Sequence, residues 1–133
     1  MDAHEETDSY GDFPLRRWLG MELDSPEPGT TVASMTITDE HLNPNGVVHG
    51  AVPFALIDTG MGGATMGVVE DGYYCASVDV NMRYIRGCSS GRLIATTTVV
   101  KKGRTVVHLE SRVVDHDDRL IATAVGTFAI FKI

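Results

Sequence analysis

Asp58 is the residue whose presence most needs a reason. It sits in Phe54-Ala-Leu-Ile-Asp-Thr-Gly-Met61, a run otherwise fit for a core. A carboxylate in such company is costly unless something satisfies it. Either a neighbouring hydroxyl, backbone group or solvent does so, or the carboxylate does chemistry: it can deprotonate water or attack an electrophile itself. Just upstream, Asn43-Pro-Asn-Gly-Val-Val-His-Gly50 brings an amide, an imidazole and a glycine close together. If a helix starts there, its first N–H groups are unpaired and carry partial positive charge. A carbonyl oxygen docked against them is polarised, as in an oxyanion hole. Gly50 has no side chain to keep such a carbonyl away from its N–H. Capping and loop hydrogen bonds would equally account for Asn43 and His49 without any chemistry.

The framework around these residues can be read from pattern. Residues 13–20 read as a short helix, with Pro14 in its first turn and Gly20 at its end. Residues 30–38 are β-branched and partly alternating, hence a strand. Asn-Pro and Asn-Gly punctuate a loop over 41–46. The one long helix runs from 51 to about 69, with Pro53 harmless in its first turn. Gly60, Gly62, Gly63 and Gly67 cost it helix propensity, which makes sense if something packs very close. The helix is apolar enough to be buried on most sides. Strands occupy 74–85, 92–101, 104–114 and 120–132, with turns at Lys102-Gly103 and at 115–118. In the first of these, Ala76, Val78, Val80, Met82 and Tyr84 alternate with Ser77, Asp79, Asn81 and Arg83. A strand, a long helix and four antiparallel strands make an α+β domain with the helix across the sheet.

That order sets a geometric condition. His49 and Asp58 are about 13.5 Å apart along a helix rising ~1.5 Å per residue. Asp58 therefore does not reach a carbonyl held at its own helix start. If both act on one substrate they come from different copies, two helices lying antiparallel across a two-fold axis. Close approach at Gly60, Gly62 and Gly63 would suit that arrangement. The expectation is a dimer with two shared sites.

Composition narrows the class. The chain has 133 residues, 43% hydrophobic and 22% charged, which suits one globular domain. Residues 1–11 read as an acidic flexible tail and 12–133 as the domain. That acidic start is unlike a signal peptide, and the apolar stretch 50–69 is interrupted by Asp58 and five glycines. A cytoplasmic location is expected, with no membrane partner. A net charge of −7 argues against nucleic acid. Cys75 and Cys88 have no CxxC spacing, and His41 and His49 lack clustered companions, so reduced thiols and no metal are expected.

The constellation Asn43…His49-Gly50…Asp58 resembles the signature of hotdog-fold acyl-CoA thioesterases of the phenylacetate-pathway (PaaI-like) type. That signature reads N-x-x-G-x-x-H-G-G, an apolar run, then Asp before Thr, Ser or Asn. The segment Ala76-Ser-Val-Asp-Val-Asn81 is similar to the family's strand after the helix. The resemblance spans residues 12–132 and implies a hotdog fold: one long central helix wrapped by a five- to six-stranded antiparallel sheet, with a short N-terminal helix. It implies hydrolysis of an acyl- or aryl-CoA to free acid and CoA. Asp58 would be nucleophile or general base, Gly50 the oxyanion donor, and Asn43 a holder of the carbonyl or the attacking group. His49 would shape the helix start, and Ser77 would orient the water or Asp58. Ala51 departs from the pattern's second glycine but keeps its N–H. The substrate would bring coenzyme A, no further cofactor being expected. Arg83, Arg86, Lys101, Lys102 and Arg104 are candidates to pair with its phosphates, although solvated strand-end charge explains each as well. The assembly would be a dimer, and a homotetramer as a dimer of dimers.

Two rival readings stay in view. A hotdog hydratase or dehydratase usually carries an Asp before the His or a His-Phe-Pro segment, and neither occurs here. A non-catalytic acyl-CoA-binding module typically lacks the helix carboxylate, which is present.

Overall fold

The computed structural model describes residues 12–132. The expected tail over 1–11 lies outside the described residues. Helix α1, Pro14–Leu19, ends at Gly20, whose φ of 71° lets its N–H reach the carbonyls of Arg16 and Arg17. Strand β1, Glu22–Glu27, hairpins into β2, Thr30–Thr36. A loop leads to helix α2, Ala51–Met66. Four strands complete the chain: β3 (Tyr73–Tyr84), β4 (Arg92–Lys102), β5 (Val106–Asp115) and β6 (Leu120–Lys132).

The six strands form one sheet in the order β1-β2-β4-β5-β6-β3, every pairing antiparallel. Helix α2 crosses its concave face. Leu56, Ile57 and Met61 on the helix are fully buried, as are Met35, Leu93 and Leu109 on the strands beneath. This is the expected α+β arrangement with one addition. Strand β1 has no counterpart in the sequence pattern, because Ser25-Pro26 breaks it. As an edge strand, irregular in register between Asp24 and Glu27, it tolerates that proline.

The helix glycines have an explanation inside the chain. A Cβ on Gly60 would stand 2.9 Å from Thr97 Oγ1 and 3.1 Å from Thr31 Oγ1. The Thr31 hydroxyl donates to the Gly60 carbonyl at 2.7 Å. A Cβ on Gly63 would stand 3.2 Å from Thr31 Cγ2. These two glycines let α2 sink onto its own sheet. The expectation that they serve a partner helix is corrected: they face inward.

Strand β3 departs from strict alternation. Its register with β6 shifts between Ser77 and Asp79, leaving Val78 as a bulge, 62% exposed. A bulge inserts one residue and reverses the facing of the residues beyond it. Cys75 and Ser77 before it, and Val80, Met82 and Tyr84 after it, therefore look toward the helix. Their partners confirm the side: Ser77 pairs with buried Phe128, and Val80 with Gly126 beneath Met61. Ser77 thus does not share a face with Asp79, Asn81 and Arg83, as simple alternation predicts.

Candidate active site

The loop before α2 is held by its own side chains. Asn43 Oδ1 accepts from the N–H groups of Asn45 at 2.9 Å and Val47 at 3.2 Å. Gly46, at φ 79°, closes that turn by donating to the Asn43 carbonyl. With its oxygen engaged, the Asn43 side chain keeps an NH₂ to offer elsewhere. His49 Nδ1 accepts from the Ala51 N–H at 2.9 Å. A nitrogen that accepts carries no hydrogen, so the neutral ring holds its proton on Nε2, toward solvent.

The hydrogen bonds around Gly50 leave one donor over. The His49 N–H goes to the His41 carbonyl, the Ala51 N–H to His49 Nδ1, and the Val52 N–H to the His49 carbonyl. The Gly50 N–H has no acceptor among the described residues. It stands at the positive end of a sixteen-residue helix. A cleft of about 320 Å³ opens here, lined by Asn43, Gly50, Pro53, Tyr84, Ile85 and Arg86 among others.

Asp58 lies farther along the same helix. It is half-buried, and among the described residues it has no hydrogen bond or ion pair. Burial holds its carboxyl above the ordinary value of 3.8. Gly50, Phe54, Asp58 and Gly62 recur every fourth residue and so share one flank of α2. Both ends of that flank touch β3: Tyr84 Oη donates to the Gly50 carbonyl, and Cys75 Sγ contacts the Gly62 carbonyl at 3.9 Å. Asp58 therefore stands over the middle of β3, about 12 Å from Gly50 at ~1.5 Å per residue. The helix-facing Ser77 belongs to that middle stretch, with no hydrogen bond to Asp58 inside the chain.

Residues 45–122, more than half of the chain, match the family model described as thioesterase superfamily. The chain belongs to that superfamily. This thioesterase is 32% identical to human acyl-coenzyme A thioesterase 13 over 96 residues, which are 69% of its own length and 66% of the human protein's. Its fold is similar to that of a mutant of thioesterase PA1618 from Pseudomonas aeruginosa. The TM-score is 0.89 at 24% identity, over 100% of this chain and 96% of that one. The PaaI protein of the E. coli phenylacetic acid degradation operon gives a TM-score of 0.85 at 22% identity, over 98% and 91% of the two chains. The fold is the hotdog fold, and the protein is a thioester hydrolase.

One copy of the thioesterase brings together only part of the expected site. Asn43, His49 and Gly50 meet at the start of α2, while Asp58 stands farther along the helix. Ser77, exposed on the helix-facing side of β3, makes no hydrogen bond to it within the described residues. The five basic candidates scatter. Arg86 lines the Gly50 cleft, and Lys102 and Arg104 flank Tyr73 and Glu70 near the far end of α2. Lys101 pairs across from His108. Arg83 lies on the sheet's other face, in a groove of about 420 Å³ with Asn81, Glu110 and Arg112. That groove is the roomier one, but it holds none of the carbonyl-directed groups. Tyr84 is a site residue that sequence reasoning misses. Its alternation with Val80 and Met82 signals the helix-facing side, but nothing in the pattern names Gly50 as its partner.

Proposed function

We propose that this thioesterase hydrolyses an acyl- or aryl-CoA at two equivalent sites, each shared between two copies of the chain. The observation that carries the reading is a half-buried carboxylate without a partner and an unspent N–H on one helix flank, too far apart for one carbonyl. A second copy supplies the missing half. Strand β3 ends the sheet and offers an open edge, along which Tyr74 is 49%, Val78 62% and Tyr84 56% exposed. Unpaired edges of this kind are templates for another strand. Two β3 edges running antiparallel about Val78 would extend the sheet and carry Asp58 of each copy toward the Gly50 of the other. Two such dimers would form the tetramer.

In the proposed reaction the thioester carbonyl oxygen accepts from the Gly50 N–H, with the Asn43 amide and His49 Nε2–H beside it. Asp58, made more basic by burial, takes a proton from water that Ser77 helps orient. The water oxygen bonds to the carbonyl carbon, and the carbonyl electron pair moves onto the oxygen, where the donors stabilise it. As that oxyanion collapses, the C–S bond breaks, and the CoA thiolate takes up a proton to leave as thiol. The groups required are all in the chain, so no further cofactor enters the scheme. Arg86 is the basic residue best placed to meet a CoA phosphate, since it lines the Gly50 cleft. Lys101, Lys102, Arg104 and Arg83 lie elsewhere in a single copy. Coenzyme A chemistry and two thiols outside any disulfide fit a cytoplasmic setting.

The test is thiol release from a panel of acyl- and aryl-CoAs, wild type beside Asp58→Asn, together with sedimentation. A dimer or tetramer with activity that depends on Asp58 is expected. Equal rates in the two proteins, or an active monomer, overturn the proposal.

A further inference from the structure

Resting on that reading, we infer that Tyr84 is a positioning residue that aims the Gly50 N–H at the thioester carbonyl. Its hydroxyl donates to the Gly50 carbonyl at 2.8 Å. The helix's own bond to the same carbonyl, from the Phe54 N–H, is longer at 3.3 Å. Tyrosine is therefore the tighter hold on the Gly50–Ala51 peptide. The Gly50 N–H lies in the preceding His49–Gly50 peptide, whose carbonyl accepts from the Val52 N–H at 2.9 Å. The tyrosine acts on that N–H through the Gly50 Cα, by limiting rotation there. The ring also lies flush on the glycine: a Cβ at Gly50 would stand 3.0 Å from Tyr84 Cε1, Cζ and Oη alike. The close fit requires glycine, and glycine is the residue whose backbone has most freedom to wander. A pre-aimed donor stabilises an oxyanion without reorganising at the moment of reaction. Glycine alone does not supply that fixity at a helix start, and the tyrosine does.

Tyr84 is itself held firmly. It pairs with buried Ala122 on β6, and the next two residues, Ile85 and Arg86, donate their N–H groups to the Ile121 carbonyl. Burial keeps its phenol protonated further above neutrality than usual, so the hydroxyl remains a donor. The rigid sheet thus reaches over to hold Gly50. The ring lies on its Cα and the hydroxyl pins the peptide that follows, which restricts the dihedrals that point its N–H. Tyr84 lies at the end of the open strand, so a second copy docking along β3 would bear on the same tyrosine and steady it.

The experiment compares wild type, Tyr84→Phe and Tyr84→Leu by steady-state thiol release. The Gly50 amide is followed in parallel by ¹H–¹⁵N NMR. Tyr84→Phe keeps the ring and removes the donor. Its kcat should fall about tenfold, less than the 10²–10³ typical of deleting an oxyanion donor outright. KM should hold within about twofold, because ground-state binding is untouched. The acid limb of the pH–rate profile, set by Asp58, should stay in place. The Gly50 amide signal should shift and broaden, while that of Gly20 stays as it was. Tyr84→Leu should lose more. Unchanged kcat with an unmoved Gly50 signal overturns the inference, as does a rise in KM with kcat intact, which would mean that Tyr84 touches substrate. A wild type inactive on every acyl-CoA sinks the proposed function instead, and the amide arm still judges Tyr84. Should the leucine variant not fold, the phenylalanine variant decides.

Discussion

Replacing Asp58 with asparagine should strengthen the fold while stopping the chemistry. The carboxylate has no hydrogen bond or ion pair within the described chain, so the amide breaks nothing. Burial raises its folded-state pKa above 3.8. Below that ordinary value, folded and unfolded chains both hold the neutral acid, and the variant gains nothing. As pH climbs through the raised folded value, wild type gives up a proton in a site that disfavours the charge. Its stability falls by that difference, and asparagine is spared the loss. The advantage of the variant therefore opens as pH rises above the ordinary value of 3.8 and is complete once pH has passed the raised folded one. Asp58 is half exposed and solvent screens it, so the gain is no more than about 1 kcal/mol. In a domain of this size that is at most roughly 4 °C in Tm. The rate moves the other way. Loss of a general base costs 10²-fold or more, roughly 2.7 kcal/mol in the barrier. Melts from pH 4 to 8 and thiol release on the same samples read both. An Asp58→Asn protein that melts below wild type at pH 7, or retains its kcat, would refute the reasoning.

Other positions give further tests. Burial pushes the Asp115 carboxyl up, but the N–H groups of Asp117 and Arg119 and the Arg119 guanidinium outweigh it and hold it below its ordinary value. A lowered folded-state pKa stabilises above the ordinary value and is lost as pH falls through the folded one. Asp115→Asn should therefore melt earlier than wild type at pH 7, with the gap closing toward pH 3. Thr65 is fully buried and its hydroxyl finds no partner within the described chain. Thr65→Val keeps the shape and removes that unmet group, so it should raise stability by about 1 kcal/mol in urea unfolding. A fall would refute that reading and show the hydroxyl to be satisfied inside the core, by a buried water for example.

Much of the fold is legible in the sequence because hydrophobic periodicity is a local signal. The long helix, β2, and β4 to β6 each declare themselves in their own residues. The features that escape depend on neighbours. Strand β1 carries a serine–proline pair that only an edge position accommodates. Helix α2 stops at Met66 rather than near residue 69 because the turn at Gly67 packs against Gly29, where a Cβ would meet the Gly29 backbone at 3.2 Å. The bulge at Val78 has no sequence mark, yet it decides that Ser77 faces the helix. Gly60 and Gly63 do mark points of close approach, but spacing alone does not say what approaches. At the site, Asp58 and Gly50 stand out because their residue types are costly or permissive where they occur. Tyr84 does not, since a tyrosine ending a strand is ordinary until its hydroxyl is seen on a particular carbonyl.

The ~12 Å along α2 between Gly50 and Asp58 has a genetic consequence under the two-copy arrangement. Two alleles, one crippled at the carboxylate and the other at the glycine, would each give dead homodimers. Co-expressed, they would scramble into hybrids in which one site inherits both lesions and the other inherits neither. With random association about half of all dimers are hybrids, each with a single working site, so about a quarter of normal activity returns from two silent parents. A gene product whose catalytic halves lay within one chain would show no such complementation.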